Sequence, residues 1–244
     1  MNQLPISLAI ITKNEEANIA RCIGSVPWAS DIVVVDSGSD DKTIEIAKSL
    51  GARTFSEDWR GYRDQKARAV ELAKHDWIIS IDADEALSTE LSTEIVKVWE
   101  SRVFHGFEIP RLTHYMGRWI RHGGWYPDRQ LRVFDRRHCK WSAGAVHERV
   151  VGGDTASVAR LENPIFHWPF NSLSEQIATN NEYSSLAARD LIAQGKKFSF
   201  TMALLKPLSK FIETYVLKRG FMDGWPGLVI SIGAAYSMFL KWAK

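Results

Sequence analysis

Two aspartates stand one residue apart in the stretch SIDADEALS, directly after the apolar run Trp77–Ile79. Asp82, Asp84 and the adjacent Glu85 are close enough to repel one another, so a bound cation would stabilise them. Carboxylate oxygens gathered in this way suit Mg²⁺ or Mn²⁺, especially where substrate phosphates complete the coordination shell. If the segment is extended, residues two apart point the same way and both aspartates serve one site. A solvated turn between a strand and a helix would show the same spacing, so both interpretations stay open.

A second acidic segment, DSGSDD at residues 36–41, follows another apolar run. Asp36 is expected either to close an Asx turn with the help of Gly38, or to accept hydrogen bonds from a uracil N–H or a ribose hydroxyl. The sequence contains neither of the glycine-rich phosphate motifs, G-x-G-x-x-G and G-x-x-x-x-G-K-[ST]. A dehydrogenase or a P-loop enzyme is therefore not expected.

The elements that must position these residues alternate between strand and helix. Strands are predicted at Ile6–Ile11, Ile32–Val35, Ala52–Phe55 and Trp77–Ile81, each followed by a helical pattern. The apolar runs are continuous, which is typical of a mostly parallel sheet with helices on both faces. Ligands of such sheets bind beyond the carboxyl ends of the strands, where Thr12, Asp36 and Asp82 all fall. In the loop after the first strand, Thr12 and Glu15 also have the spacing of a capping box.

The C-terminal part of the chain is predicted to be helical. The segment Ser172–Glu175 has capping-box spacing and opens one helix. Two further helices are predicted at residues 199–218 and 227–242. We therefore predict an α/β catalytic domain over residues 1–170 and an amphipathic helical region over residues 171–244.

Charge is distributed unevenly along the 244 residues. The net charge of +2 gives no indication of nucleic-acid binding, yet residues 196–244 carry +6 and residues 1–195 carry −4. The longest apolar stretch, Gly227–Leu240, has about 14 residues, fewer than the roughly 20 that cross a bilayer as a helix. The C-terminal region is therefore expected to bind an anionic membrane surface peripherally.

The two cysteines and the N-terminus indicate the compartment. Cys22 and Cys139 form no disulfide framework and no zinc-site spacing, and we expect them to be reduced packing groups. The N-terminal residues lack the features of a signal peptide. The protein is therefore expected in the cytoplasm, at the inner face of the cytoplasmic membrane, and its number of subunits is left open.

Four segments in order, AIITKNEEANIARCIGSV, DIVVVDSGSDDKTIEIA, QKARAVELAKHDWIISIDADE and VHERV, resemble glycosyltransferase family 2. The resemblance implies a GT-A fold, an inverting mechanism and a nucleotide-diphosphate-sugar donor. The segments WYPDRQLRVF, HERV and RGFMDGWPGLVIS are similar to the bacterial branch that includes lipopolysaccharide inner-core β-1,4-glucosyltransferases. The family pattern covers nearly the whole chain.

The resemblance implies roles for residues of the donor site. Thr12 and Glu15 match the nucleotide-contacting segment of the first loop, and Asp36 matches the carboxylate that reads uracil or ribose. Lys66 stands where the family has a cation near the nucleotide and its phosphates. Departures at three positions, Ser37, Lys42 and Ala67, affect the expected nucleotide contacts more than the reaction class.

The remaining family roles concern the metal, the base and the acceptor. Asp82 and Asp84 match the Asp-x-Asp motif, with Asp84 as the expected metal ligand, and Glu148 matches the base that activates the acceptor. His167 is expected to be a buried, hydrogen-bonded histidine, with metal or phosphate binding as the alternative. An acceptor wall or a packed aromatic turn is expected from Trp125, Tyr126, Asp128, Arg129, Gln130 and Arg132.

These roles together define the expected reaction. A sugar, with glucose favoured, passes from a UDP-sugar to a lipid-linked saccharide such as lipopolysaccharide core, with Mg²⁺ or Mn²⁺ stabilising the leaving diphosphate. Two alternatives stay open: a polyprenyl phosphate acceptor, and a catalytically silent membrane scaffold that binds nucleotide-sugars.

Overall fold

The computed structural model describes residues 3–100, 103–142, 149–170 and 172–244. Two compact units can be distinguished. The first comprises the residues up to Arg111 together with Arg129–His167, and the second comprises Leu112–Asp128 together with Trp168–Lys244. The predicted domain boundary after residue 170 stays a prediction.

Short strands and helices alternate in the first half of the chain, and longer helices follow. The strands are β1 Leu4–Thr12, β2 Ala29–Asp36, β3 Arg53–Ser56, β4 Trp77–Ser80, β5 Glu85–Leu87, β6 Gly106–Tyr115, β7 Arg118–Ile120, β8 Asp128–Asp135, β9 Cys139–Trp141, β10 Val150–Gly152, β11 Val158–Arg160 and β12 Ile165–His167. The helices are α1 Ile19–Gly24, α2 Thr43–Ser49, α3 Tyr62–Glu71, α4 Thr89–Trp99, α5 Leu173–Ala193, α6 Phe200–Phe211 and α7 Gly224–Ala243. A π-helical segment, Ile212–Leu217, and a 3₁₀ helix, Gly220–Asp223, lie between α6 and α7.

The central sheet of the first unit has the spatial order β3-β2-β1-β4-β8-β6-β12-β5. Strands β3, β2, β1 and β4 are mutually parallel, and β8 joins β4 in antiparallel orientation. Parallel strands need crossover connections, and α1, α2 and α3 supply them. The predicted α/β class with a mostly parallel central sheet is confirmed.

Two buried clusters cover the two faces of this sheet. Ile6, Leu8 and Ile10 of β1 pack in one cluster with residues of α1, α2 and α4. Ala9 and Ile11 point to the opposite face and pack in the other cluster with α3. Burying an isoleucine side chain contributes about 1.5–3 kcal/mol, so the continuous apolar run of β1 anchors the centre of the sheet.

Serine side chains cap the starts of two helices, and the helix start predicted at Ser172 is confirmed. The Ser172 side chain accepts a hydrogen bond from the Glu175 N–H at 3.2 Å at the start of α5. The Ser88 hydroxyl likewise accepts from the Leu91 N–H at 3.1 Å at the start of α4. Each cap satisfies a backbone donor that the first helical turn leaves unpaired.

The predicted capping box at Thr12 and Glu15 is wrong. Thr12 is still part of β1, where it is the register partner of Asp36, so it cannot cap a helix. The helix α1 begins seven residues later, after Asn18. The Glu15 N–H instead donates to the Thr43 hydroxyl at 2.7 Å, which ties the first loop to the start of α2.

The second unit is mainly helical. Tyr115, Ile120 and Ile230 are buried together in its core, where α7 contributes Ile230. Asp223 accepts a hydrogen bond from the His122 backbone N–H at 2.7 Å, and its carboxylate lies 2.9 Å from the Nδ1 atom of the same histidine. Among the described residues, no helix combines the length and the hydropathy that crossing a bilayer requires.

Candidate functional site

Three polar strand ends meet at one edge of the central sheet. Thr12 ends β1 beside its register partner Asp36, which ends β2. Asp82 lies two residues beyond Ser80, the last residue of β4, and Ser80 is the partner of Ala9 in the parallel pairing with β1. The edge is therefore the carboxyl end of three neighbouring parallel strands, where ligands of such sheets bind.

Asp36 closes the turn that follows β2. Its Oδ2 atom accepts hydrogen bonds from the N–H groups of Gly38 and Ser39 at 3.0 and 2.9 Å, and the Ser39 hydroxyl donates to Oδ1. Gly38 has a φ of +87°, a conformation that side-chain-bearing residues rarely adopt. The Asx-turn interpretation is confirmed. A carboxylate has about four acceptor positions and these bonds use three, which leaves one for a base N–H or a ribose hydroxyl.

A buried ion network surrounds Asp82. The Lys66 Nζ atom lies 2.9 Å from Asp82 Oδ1, and the Arg132 Nη2 atom lies 3.2 Å from Asp82 Oδ2. Lys66 and Arg132 are only 6% and 4% exposed. Burial alone would raise the pKa of Asp82, but the two cations outweigh it and hold that pKa well below its usual range. Asp82 is therefore a charged partner for two buried cations.

Asp82 and Asp84 contact different partners. The chain between them is a turn, in which the Glu85 N–H donates to the Asp82 carbonyl and the Asp82 N–H donates to Glu85 Oε2, both at 2.9 Å. Of the two open interpretations, the extended segment is wrong and the turn is observed, because this reciprocal pairing bends the chain. The Oδ2 atom of Asp84 lies 3.3 Å from the Nε2 atom of His167.

Asp84 and His167 form a pair of candidate metal ligands. A carboxylate oxygen and an imidazole nitrogen both suit Mn²⁺, and the oxygen also suits Mg²⁺. Across the described ranges, no group of three or more His, Cys, Asp or Glu side chains is arranged to hold a metal ion. A metal ion held by Asp84 and His167 would therefore need phosphate oxygens or water to complete its coordination shell.

Glu15 lies in the electrostatic field of the same turn. Burial raises the pKa of Glu15, a hydrogen bond from the Asn18 side chain at 2.7 Å lowers it, and the negative charges of Asp84 and Asp41 raise it further. The first loop thus adds a third carboxylate to the surroundings of Asp84. A cation near Asp84 would reduce this repulsion.

Several buried polar atoms near this edge lack a hydrogen-bond partner among the described residues. They are Thr12 Oγ1, Gln65 Oε1, Arg132 Nε and Trp141 Nε1. The ring of Trp141 also lies 5.4 Å from the Lys66 Nζ atom. Unpaired buried polar atoms are uncommon and costly, so their concentration at one edge is typical of a site for a polar ligand.

The expected base, Glu148, lies outside the described residues. The hairpin that flanks it is described: Trp141 of β9 pairs with Val150 of β10 in antiparallel register, and the Ser142 N–H donates to the Arg149 carbonyl at 2.8 Å. Because the Trp141 ring also contacts Lys66, the hairpin begins beside the ion network.

The sequence did not indicate two partners in this site. Arg132 is expected in an acceptor wall or in a packed aromatic turn, but it is buried against Asp82 and Glu85. A charged residue among the apolar side chains Leu131, Val133 and Phe134 of β8 is the signal that could have indicated a buried partner. His167 was expected mainly as a structural histidine, and its contact with Asp84 depends on the pairing of β12 with β5.

The chain is similar to known proteins over almost its whole length. The model of the family described as Glycosyl transferase family 2 matches residues 7–144. The lipopolysaccharide core biosynthesis glycosyltransferase LpsC of Rhizobium meliloti is 31% identical over 256 residues, covering 99% of this chain and 92% of that protein. The uncharacterised glycosyltransferase RT0209 of Rickettsia typhi is 35% identical over 250 residues, covering 98% of this chain and 86% of that protein.

A solved structure supports the fold. The crystal structure of residues 1–349 of S. aureus TarS, in complex with UDP-GlcNAc, matches with a TM-score of 0.50 and 12% identity, covering 98% of this chain and 82% of that chain. At this identity the likeness shows the fold alone. The GT-A fold that the resemblance implied is confirmed.

The two aspartates of the turn are expected to differ in their contribution to stability. Asp82→Asn removes the charge that compensates Lys66 and Arg132 and should lower the free energy of unfolding by about 1–3 kcal/mol. Asp84→Asn should change it by less than about 0.5 kcal/mol, because Asp84 is half-buried and near other carboxylates. Urea unfolding of both variants measures the difference, and equal losses would contradict the assignment.

Proposed function

The chain belongs to glycosyltransferase family 2, and we propose that it transfers a sugar from a UDP-sugar to a lipid-linked saccharide. Lipopolysaccharide core is the proposed acceptor, because LpsC, which matches almost the whole chain, is named for lipopolysaccharide core biosynthesis. Glucose is the proposed sugar. The observation that carries the proposal is the Asp84–His167 pair beside the ion network of Asp82, at the carboxyl edge of the sheet.

Asp84 and His167 fit a divalent cation that also binds diphosphate oxygens. Their oxygen and nitrogen atoms lie 3.3 Å apart, on a turn and a strand that backbone pairing joins. A metal bound there would stabilise the negative charge of the leaving diphosphate as a Lewis acid. In this proposal Mn²⁺ or Mg²⁺ is the cofactor and Asp84 is its carboxylate ligand.

The buried ion network places cations at the same edge. Lys66, Arg111 and Arg132 contact Asp82 and Glu85 there. Their positive charges favour an anionic ligand and counteract the charge that develops on the diphosphate as its bond to the sugar breaks. Asp82 contributes by holding Lys66 and Arg132, rather than by contacting a metal directly.

The nucleoside and the acceptor hydroxyl are assigned to the flanking segments. Thr12 and Glu15, from the first loop, and the turn closed by Asp36 are proposed to contact the nucleoside. Glu148 is proposed to accept the proton of the acceptor hydroxyl as that oxygen attacks the sugar from the face opposite to the diphosphate. This single displacement inverts the configuration at the sugar carbon.

The second unit is proposed to hold the protein at an anionic membrane surface. Leu205, Leu208 and Leu217 of its helices are 63%, 57% and 72% exposed, an unusual density for large apolar side chains. Lys206 and Lys218 are sequence neighbours of these leucines, so the segment combines side chains for apolar insertion with cations that attract anionic lipid. The same proposal assigns the protein to the inner face of the cytoplasmic membrane, where a lipid-linked acceptor is available.

Loss of the proposed metal ligands should stop chemistry without unfolding the chain. Asp84→Asn and His167→Ala should each lower Mn²⁺-dependent hydrolysis of UDP-glucose by about 10²–10³-fold. His75→Ala, a half-buried histidine at the opposite edge of the sheet, is the control and should leave the rate unchanged. A wild-type protein that binds but never hydrolyses UDP-sugars would favour the silent scaffold.

A thermal-shift comparison of UDP-glucose, UDP-N-acetylglucosamine, UDP-galactose and GDP-mannose identifies the donor, because the sugar nucleotide that binds should raise the unfolding temperature most.

Glu148→Gln should separate donor binding from transfer. The amide keeps the size of the side chain but cannot accept the proton, so transfer to a lipopolysaccharide core acceptor should fall by about 10²–10⁴-fold. Binding of UDP-glucose and Mn²⁺, followed by calorimetry, should change little. Near wild-type transfer by this variant would assign the base elsewhere, with Asp128 and His147 as the next candidates. Transfer to polyprenyl phosphate alone would favour that acceptor.

Membrane binding should depend on the leucines of the second unit. The wild-type chain should sediment with phosphatidylglycerol vesicles, and less so at high salt, because the attraction to lipid is partly electrostatic. Leu205→Glu should reduce sedimentation strongly, whereas Leu50→Glu, an exposed leucine at the end of α2, should not. Equal sedimentation of both variants, or none by the wild type, would assign the exposed leucines to a contact between protein chains.

A further inference from the structure

Glu85 lies at the centre of the turn that carries the proposed metal ligand Asp84. It is 1% exposed, and its Oε2 atom accepts the Asp82 N–H at 2.9 Å while its own N–H donates to the Asp82 carbonyl at 2.9 Å. Two hydrogen bonds between the same two residues fix the backbone on both sides of Asp84. The direction of the Asp84 side chain is therefore set by Glu85.

The second oxygen of Glu85 is held by two arginines. Arg132 Nη2 lies 2.9 Å and Arg111 Nη1 3.1 Å from Glu85 Oε1. Arg132 also contacts Asp82, so one guanidinium bridges the two carboxylates at the ends of the turn. A guanidinium can donate in two directions at once from a rigid fork, which an ammonium group cannot reproduce.

The backbone of Glu85 also orients the other proposed ligand. Glu85 begins β5, and its register partner in the antiparallel pairing with β12 is His167. Asp84 therefore precedes Glu85 in the chain and His167 lies opposite it in the sheet. The side chains of Asp84 and His167 meet at 3.3 Å. Both oxygens of Glu85 already accept hydrogen bonds inside the protein, so Glu85 is not itself available to a metal.

We propose that Glu85 and Arg132 are positioning residues, which hold Asp84 and His167 in the geometry that binds the divalent cation. In this role each side chain acts through the shape of the turn rather than as a ligand of the metal. This inference rests on the proposed function, because it presupposes that Asp84 and His167 are metal ligands. Partners of metal ligands usually matter in this way, and their loss weakens metal affinity by about 10–100-fold.

The test measures Mn²⁺ binding to the full chain in the presence of UDP, by the electron paramagnetic resonance signal of free Mn²⁺, beside thermal unfolding. Glu85→Gln and Arg132→Gln should each weaken Mn²⁺ binding by about 10–100-fold. The double variant, with both Glu85→Gln and Arg132→Gln, loses one negative and one positive charge, so the net charge of the network is that of the wild type. Its unfolding temperature should therefore be closer to the wild type than that of either single variant. It should nevertheless bind Mn²⁺ as weakly as they do, since the bridge is still missing.

Two further variants make the result specific. Asp31→Asn breaks another buried ion pair of the same unit, in which Asp31 lies 2.9 Å from Arg53, and should lower the unfolding temperature without changing Mn²⁺ affinity. Arg132→Lys keeps the charge but loses the fork, and should weaken Mn²⁺ binding. If the glutamine variants do not fold, the Mn²⁺ affinity of Arg132→Lys alone tests the positioning role.

The outcomes separate the two levels of the proposal. Wild-type Mn²⁺ affinity in the folded single variants, or in Arg132→Lys, would overturn the positioning role. Recovery of Mn²⁺ affinity in the double variant would also overturn it, because the pair would then act through net charge alone. A wild-type chain that binds no Mn²⁺ with UDP would overturn the proposed metal chemistry itself, and the positioning role with it.

Discussion

The burial of Lys66 and Arg132 against Asp82 is the constraint on which the carboxyl edge of the sheet depends. Both cations are almost fully enclosed, and a buried cation without a carboxylate partner would be strongly destabilising. Lys66 comes from α3 and Arg132 from β8, so one carboxylate joins two elements that are distant in the chain to the end of β4. The position of the Asp82–Glu85 turn is therefore set by charge pairing as well as by strand pairing.

This constraint separates the roles of the two aspartates. Asp82 has its negative charge compensated by two cations inside the protein, whereas Asp84 contacts the imidazole of His167. A metal that entered the site would gain more from Asp84, because Asp82 would first have to give up its buried partners. The repulsion expected between the two carboxylates is thus relieved for Asp82 by arginine and lysine before any ligand binds.

The sequence predicted the sheet well and the turn poorly, for physical reasons. Continuous apolar runs identify strands covered on both faces, and this pattern placed Thr12, Asp36 and Asp82 at one edge. The spacing of Thr12 and Glu15 also fitted a capping box, yet local spacing cannot show that a neighbouring strand has already engaged Thr12. Ser88 and Ser172 lie outside the strands, and their hydroxyls accept the hydrogen bonds that cap their helices.

The partners of the acidic turn could not be predicted because they are brought in by tertiary structure. Arg132 arrives through the antiparallel pairing of β8 with β4, and His167 through the pairing of β12 with β5. Neither pairing leaves a mark in the local sequence. The Asp-x-Asp spacing indicates where carboxylates lie, but their roles follow from which cations and imidazoles the fold places beside each one. Because Lys66 contacts both Asp82 and the ring of Trp141, a diphosphate that attracts Lys66 would also act on the hairpin that flanks Glu148.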